Sequence, residues 1–192
     1  MNKELQANLY EKYPAIFRQK DLSMKETCMC WGLGCGDGWY NIIDTLCAHL
    51  QYFVDEPNNQ VRMFTKLLNE AQKKEGSKEE IKRYQGYIEV ESKFIIPQLE
   101  AAQVKEKYGT LRFYLSCYPS NDKVGAKVRE AISFAESMSA CTCELCGMPG
   151  DLSAEQGRWL TVRCDACRVI ERENRQKYFN EARQLKIPFG GK

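Results

Sequence analysis

Two pairs of cysteines near the carboxyl end have the spacing of a metal site. Cys143 and Cys146 form one C-x2-C turn, and Cys164 and Cys167 form a second one after seventeen intervening residues. Each turn places two sulfurs on one side of the backbone, and two turns supply the four thiolates that Zn²⁺ binds tetrahedrally. Four protein ligands leave no coordination position for water, so the pattern predicts one structural Zn²⁺ and no catalytic metal.

The remaining cysteines have no regular metal spacing; they are Cys28, Cys30, Cys35, Cys47, Cys117 and Cys141. Cys28, Cys30 and Cys35 follow a C-x-C-x4-C pattern, and a second zinc or an iron–sulfur cluster there would need a fourth ligand. Because cysteine is often buried without binding anything, the second metal site is the less favoured hypothesis. Cys141 is an alternative to Cys143 as a ligand, since a C-x4-C spacing is also usable.

A glycine-rich loop forms the second unusual segment, with glycine at positions 32, 34, 36 and 38. Such a loop before a helix can cradle a phosphate. However, no Gly-Lys-Ser/Thr sequence follows, and Asp37 would repel an anion. The favoured interpretation is a tight loop that packs Trp31 and Trp39 into the core, because tryptophan buries a large area. The alternative is a loop that contacts a ligand or a partner.

Basic and aromatic residues alternate further along the chain, at Lys105, Lys107, Tyr108, Arg112 and Tyr114. On one strand face, such residues can hold phosphates and stack on bases, which would suit a nucleic acid. A solvated face of an antiparallel hairpin has the same composition and is the commoner case.

The sequence offers little for catalysis. His49 is the only histidine, and Cys47 lies two positions away on a predicted helix, where the two side chains do not face each other. Glu91-Ser92-Lys93 and Gln103-Val104-Lys105 match half of a restriction-type nuclease motif, but the paired acids of a metal-dependent nuclease are missing. The prediction is a protein that is not an enzyme.

Helices must position the glycine loop. Apolar residues recur at helical spacing from 42 to 54, with Asp37 as the predicted N-cap and Glu56-Pro57-Asn58-Asn59 as the predicted end. Residues 57–96 are then predicted to be an inserted helical hairpin whose second helix starts at a capping box formed by Ser77 and Glu80.

The second half of the chain predicts a β-hairpin over 99–117, with its turn at Tyr108-Gly109. Asp122 is the predicted N-cap of the next helix. Arg158–Arg163 is predicted to be a strand and 165–186 a helix.

Together these elements predict an α+β fold with helices packed on a β-hairpin or small antiparallel sheet. Residues 1–140 would form the body, and 141–192 a four-cysteine module of the treble-clef or zinc-ribbon kind. The formal net charge is +2, and the chain has no apolar run long enough to cross a membrane. Ten cysteines without an export signal predict a reducing cytoplasm and no membrane partner.

Four strings together resemble a family of small, largely uncharacterised proteins of phages and prophages. They are CGDGWYNIIDTLC at 35–47, QVKEKYGTLRFY at 103–114, AESMSACTCELCG at 135–147 and WLTVRCDAC at 159–167. The resemblance covers most of the chain except 57–96. It implies a phage origin and the same cysteine-rich C-terminal finger, and it transfers no catalytic residue.

Membership in this class favours binding over catalysis. The functional hypothesis is a non-enzymatic zinc protein in the host cytoplasm that inhibits or redirects a host factor, such as a defence factor, by stoichiometric binding. The predicted contact surface comprises the 31–39 loop, the 105–114 hairpin and the charged helices at 57–96. The alternatives are a nucleic-acid-binding zinc finger, a sponge for a signalling nucleotide and, last, a metal-dependent nuclease.

Overall fold

A computed structural model describes residues 1–74, 76–154 and 159–184. The helices are α1 (Lys3–Lys12), α2 (Tyr40–Lys73), α3 (Lys78–Ser92), α4 (Asp122–Ser139) and α5 (Asp165–Gln184). The strands are β1 (Ala101–Lys107), β2 (Thr110–Leu115), β3 (Asp151–Ser153) and β4 (Thr161–Arg163), and they pair as two separate antiparallel hairpins. The predicted α+β class is therefore confirmed. Within the described residues, no helix is long and apolar enough to span a bilayer.

One apolar core joins the N-terminal segment, α2, the first hairpin and α4. The β1–β2 hairpin buries Val104, Leu111 and Phe113 on one face, while α2 contributes Ile43 and Leu50 to the same cluster. These side chains are almost completely shielded from solvent. Burial of this kind is the dominant stabilising term for a domain of this size.

Helix α2 continues through Pro57, so the predicted helix end at Glu56-Pro57-Asn58-Asn59 is wrong. Proline removes one backbone donor from the helix ladder. Next to this gap, the side-chain amide of Asn58 donates to the carbonyl of Val54 at 2.7 Å. The distal half of α2 then packs against α3, with the rings of Phe64 and Tyr87 4.9 Å apart. Tertiary packing therefore outweighs the local helix-breaking signal.

Two predicted N-caps are also wrong. Trp39 occupies the N-cap of α2 without a side-chain hydrogen bond. The Asp37 carboxylate instead accepts hydrogen bonds from the backbone N–H and the side-chain amide of Asn2, which hold the pKa of Asp37 below its usual range. At α4, the N-cap is Asn121, whose side-chain oxygen accepts from two backbone N–H groups, and Asp122 is the first helical residue.

Two other local predictions are confirmed. Ser77 caps α3, with its hydroxyl accepting from the N–H of Glu80 at 3.1 Å. Tyr108 and Gly109 connect β1 to β2 and have positive φ angles of 55° and 80°. A two-residue type I′ turn requires positive φ angles at both of its central residues, and its twist matches that of the flanking strands.

The C-terminal module consists of a cysteine turn, the β3–β4 hairpin and α5, in that order. This is the order of elements in a treble clef. The predicted strand over Arg158–Arg163 is found at Thr161–Arg163, and Arg158 lies outside the described residues. Of the predicted helix over 165–186, residues up to Gln184 are helical, and 185–192 also lie outside the described residues.

Candidate metal centre

The four predicted ligands meet in space. The sulfurs of Cys143, Cys146, Cys164 and Cys167 all lie within 4.8 Å of one another, and those of Cys146 and Cys164 are 3.6 Å apart. Four sulfurs at about 2.3 Å from a central Zn²⁺ would lie about 3.8 Å apart in a tetrahedron. The four-cysteine group therefore fits a tetrahedral metal ion by donor type and by spacing.

Backbone hydrogen bonds shape the first cysteine turn. The N–H of Cys143 donates to the carbonyl of Met148 at 2.7 Å, and the N–H of Gly147 donates back to Cys143 at 2.9 Å. Gly147 has a φ angle of +78°, which a residue without a Cβ adopts freely. The second pair is placed by regular structure, because Cys164 directly follows β4 and Cys167 lies in the first turn of α5.

The local electrostatics favour a cation among these sulfurs. Burial raises the pKa of Cys143, but hydrogen bonds from the backbone of Cys164, Cys146 and Leu145 outweigh it and lower the pKa to about 7. Burial and the neighbouring thiols raise the pKa of Cys167. Each ionised thiolate repels the negative charge of the next and so raises the pKa of the remaining thiols. A divalent cation at the centre offsets this repulsion and allows all four cysteines to coordinate it as thiolates.

The glycine-rich loop packs directly against the first cysteine turn. The N–H of Gly38 donates to the carbonyl of Glu144 at 2.8 Å, and the N–H of Gly36 donates to the Glu144 carboxylate at 2.9 Å. Trp39 is fully buried, and its indole N–H donates to the carbonyl of Thr142 at 2.8 Å. A Cβ on Gly38 would lie 2.2 Å from the carbonyl oxygen of Cys143. Glycine is therefore needed because the two backbones touch.

The backbone N–H groups of the glycine-rich loop, which a phosphate would need as hydrogen-bond donors, already donate to other parts of the chain. In addition to the two glycine N–H groups bound to Glu144, the N–H of Leu33 donates to the side chain of Gln6, and that of Gly34 donates to the carbonyl of Val104. The structure thus gives the phosphate-cradle interpretation little support. Trp31 does not share the burial of Trp39, since its side chain is 73% exposed.

A buried ion pair lies beneath the cysteine turn. The guanidinium of Arg163 donates to the Glu144 carboxylate at 2.9 Å and to that of Glu171 at 3.2 Å. Arg163 and Glu144 are almost fully buried, whereas Glu171 is partly exposed. This pair was not predicted from the sequence. The available signal was a charged residue inside a C-x2-C turn and another directly before Cys164, but neither identifies its partner.

We expect Arg163→Met to lower the free energy of unfolding by about 3 kcal/mol, the lower end of the range for a broken buried pair, because the Glu144 carboxylate stays buried with no cationic partner. Urea unfolding at saturating zinc measures the change. As a control, Lys12→Met removes an exposed ion pair with Asp44 and should change stability little. Equal losses in both variants would contradict the assignment of Arg163.

Four of the five predicted basic and aromatic residues share one face of the first hairpin, and the fifth, Tyr108, lies in its turn. Lys105 pairs with Arg112 across the two strands, and Gln103 pairs with Tyr114. This outer face is opposite the buried Val104 and Phe113. At its end, the ammonium group of Lys107 lies 5.3 Å from the ring centre of Tyr108, which is 63% exposed. Arg112 is 3.8 Å from the Glu136 carboxylate, so it is partly neutralised.

The other cysteines do not assemble a second cluster. Cys28 is exposed, the Cys30 thiol donates to the carbonyl of Thr27 at 3.2 Å, and burial raises the pKa of Cys35 to about 12. Cys47 is buried and Cys117 exposed. In the described part of the chain, the four C-terminal cysteines are the only group of three or more potential ligands whose donor atoms meet.

Comparisons of this chain with protein-family models, with curated proteins and with solved structures found no match. The structure gives a four-cysteine group that can bind a metal ion, a glycine loop packed against it and a basic hairpin face on which Lys107 and Tyr114 are exposed and Lys105 and Arg112 are half-buried.

Proposed function

We propose that this chain is a non-enzymatic zinc-containing binding protein of phage type that captures a host protein in a stoichiometric complex. The observation that supports it best is the outer face of the β1–β2 hairpin. Lysine, arginine and tyrosine side chains lie on this face, and the opposite face of the same two strands is buried in the core. A rigid, exposed surface of this composition suits recognition of an acidic protein surface.

The zinc module supports this surface. The turn at Gly109 packs so tightly on the module that a Cβ there would lie 2.4 Å from a methyl carbon of Leu152 and 3.1 Å from the backbone of Leu160. Next to Leu160, Trp159 is 85% exposed. The metal site thus stabilises one end of the binding face, where Tyr108 and Trp159 are the aromatic side chains open to a partner.

The side-chain chemistry favours binding over turnover. Four thiolates fill a tetrahedral zinc shell, so a substrate has no coordination position. The ring of His49 packs against that of Phe53, with ring centres 4.6 Å apart, and stacks on that of Tyr52 at 6.3 Å. Cys47, two positions earlier, is fully buried, and burial raises its pKa. These two residues therefore lack the arrangement of a nucleophile and its base.

The resemblance to phage and prophage proteins supports a host factor, such as a defence factor, as the partner. Native mass spectrometry of the tagged protein from host lysate tests this. We expect a host protein at fixed stoichiometry, and at least a tenfold loss of its affinity on replacing both Lys105 and Lys107 by glutamate. The control is Lys3→Glu with Lys25→Glu, which changes the net charge equally at exposed sites outside the β1–β2 hairpin. A bare protein, or equal losses in both variants, would contradict the proposal.

A nucleic acid is the second candidate, favoured by the three cations and the tyrosines of the same hairpin face. Here the predicted signature is salt dependence. The logarithm of the affinity for a single strand should fall with the logarithm of salt concentration by about 0.7 per phosphate contacted, and the slope should shrink when Lys105 and Lys107 are replaced. Fluorescence anisotropy with a labelled oligonucleotide measures this, and salt-independent binding would exclude it.

A further inference from the structure

An apolar groove of about 840 Å³ lies between α2 and α4. Its apolar walls include Ile42, Leu46, Phe53, Ala131, Phe134 and Met138. Polar groups are concentrated on a few positions, among them His49, Lys127 and Glu130. The groove is thus mainly apolar and partly open to solvent. Exposed apolar surfaces of this kind mark binding sites for a partner or a ligand.

A side chain that projects into solvent lies at the edge of the α2–α4 groove. Phe134 lines the groove but is 69% exposed, and Met138, one turn further along α4, is also exposed. In a two-fold symmetric interface, one patch must complement itself, so it needs both a projecting group and a space to receive it. Phe134 and the groove beside it provide both within one surface.

The charges of the patch are also self-complementary. Lys127 and Glu130 lie three positions apart on α4 and both face the groove. Neither forms an ion pair with another described residue. Around a two-fold axis beside residues 127–131, Lys127 of each copy would lie close to Glu130 of the other. A partner surface that carries only one sign of charge at this position would leave one of the two residues without a counter-charge.

We propose that a second copy of this chain covers the α2–α4 groove, with Phe134 of each copy inserted into the groove of the other and Lys127 paired with Glu130 across the axis. This dimer is independent of the proposed host partner, because the hairpin face and the groove are formed by different residues. Two copies would present two hairpin faces, which would strengthen the capture of a repeated or dimeric target.

Sedimentation velocity of the zinc-loaded full chain over a wide concentration range tests the dimer. We expect a dimer that dissociates on dilution and a dissociation constant raised at least tenfold by Phe134→Glu, since central aromatic residues dominate interface energies. Trp31→Glu is the matched control, because Trp31 is equally exposed but lies outside the groove. A chain that stays monomeric, or a dimer indifferent to Phe134→Glu, would overturn the proposal.

Exchanging the charges of Lys127 and Glu130 distinguishes the loss of a specific contact between the two copies from a general effect of the substitutions on the fold. Lys127→Glu and Glu130→Lys should each weaken the dimer, because each places like charges together across the axis. The double variant Lys127→Glu/Glu130→Lys should restore it to within about threefold of the original, since the pair is re-formed with reversed polarity. A double variant as weak as the single ones, or a monomer carrying a small molecule in native mass spectrometry, would refute a second copy as the occupant.

Discussion

Cys146→Ser should abolish stoichiometric zinc binding and lower the melting temperature by more than about 10 °C. Structural zinc sites contribute about 10–16 kcal/mol of apparent binding free energy in small zinc domains, and the loss of one thiolate removes several kcal/mol of it. In a domain of this size, 1 kcal/mol corresponds to roughly 2–4 °C. Elemental analysis of the purified protein and thermal unfolding by circular dichroism measure the two effects.

The matched control is Cys141→Ser. Cys141 is exposed, lies two residues before Cys143, and its thiol donates to the carbonyl of Met138. Its sulfur is not part of the four-cysteine group. We expect one zinc per chain and an unchanged melting temperature in this variant. If Cys146→Ser retains both the zinc and the melting temperature, the metal site is not where the geometry puts it.

The loss of zinc should also be detectable at Trp39. This residue is fully buried and its indole N–H bonds to Thr142, one position before the first ligand, whereas Trp31 and Trp159 are largely exposed. In a background with Trp31 and Trp159 replaced by phenylalanine, removal of zinc by a chelator should shift the remaining tryptophan emission to longer wavelength. Emission that does not respond to the chelator would show that the loop keeps its packing without the metal.

The four-cysteine group and the first hairpin could be predicted from the sequence because their signals are local. A C-x2-C pair needs only one turn of backbone to bring two sulfurs together, and a Tyr-Gly turn needs only two residues with positive φ. The Ser77 cap of α3 is local in the same sense.

The errors arise where distant contacts decide the outcome. Pro57 breaks a helix in isolation, but the packing of α3 keeps α2 continuous across it. Asp37 is a good N-cap by type, yet its carboxylate is bound by Asn2, thirty-five positions away. The partner of Arg163 likewise becomes apparent only when the cysteine turn and β4 meet. Neither propensity nor spacing contains these contacts.

The contact partner of the glycine-rich loop could not be predicted from the sequence. Four glycines in seven residues indicate a close approach, but the pattern does not say whether a phosphate, a partner or the chain itself approaches. In the folded chain, Gly36 and Gly38 contact the first cysteine turn. The loop therefore connects the body to the four-cysteine module by direct backbone contact.

Gly38→Ala tests this contact. The added Cβ would lie 2.2 Å from the carbonyl oxygen of Cys143 and 2.8 Å from the backbone nitrogen of Cys146, and backbone atoms cannot move aside as a flexible side chain can. We expect the free energy of unfolding to fall by more than about 3 kcal/mol, because the loop and the zinc turn must separate. Urea unfolding and competition with a zinc chelator should show lower stability and weaker metal binding together.

Gly86→Ala is the matched control, since it makes the same chemical change in the middle of α3, where a Cβ would meet nothing within 4 Å. There alanine should stabilise the protein by about 0.5–1 kcal/mol through helix propensity and should leave zinc affinity unchanged. Opposite signs in the two variants would establish that the cost at Gly38 comes from contact with the cysteine turn. A harmless Gly38→Ala would instead mean that the loop and the metal centre fold independently.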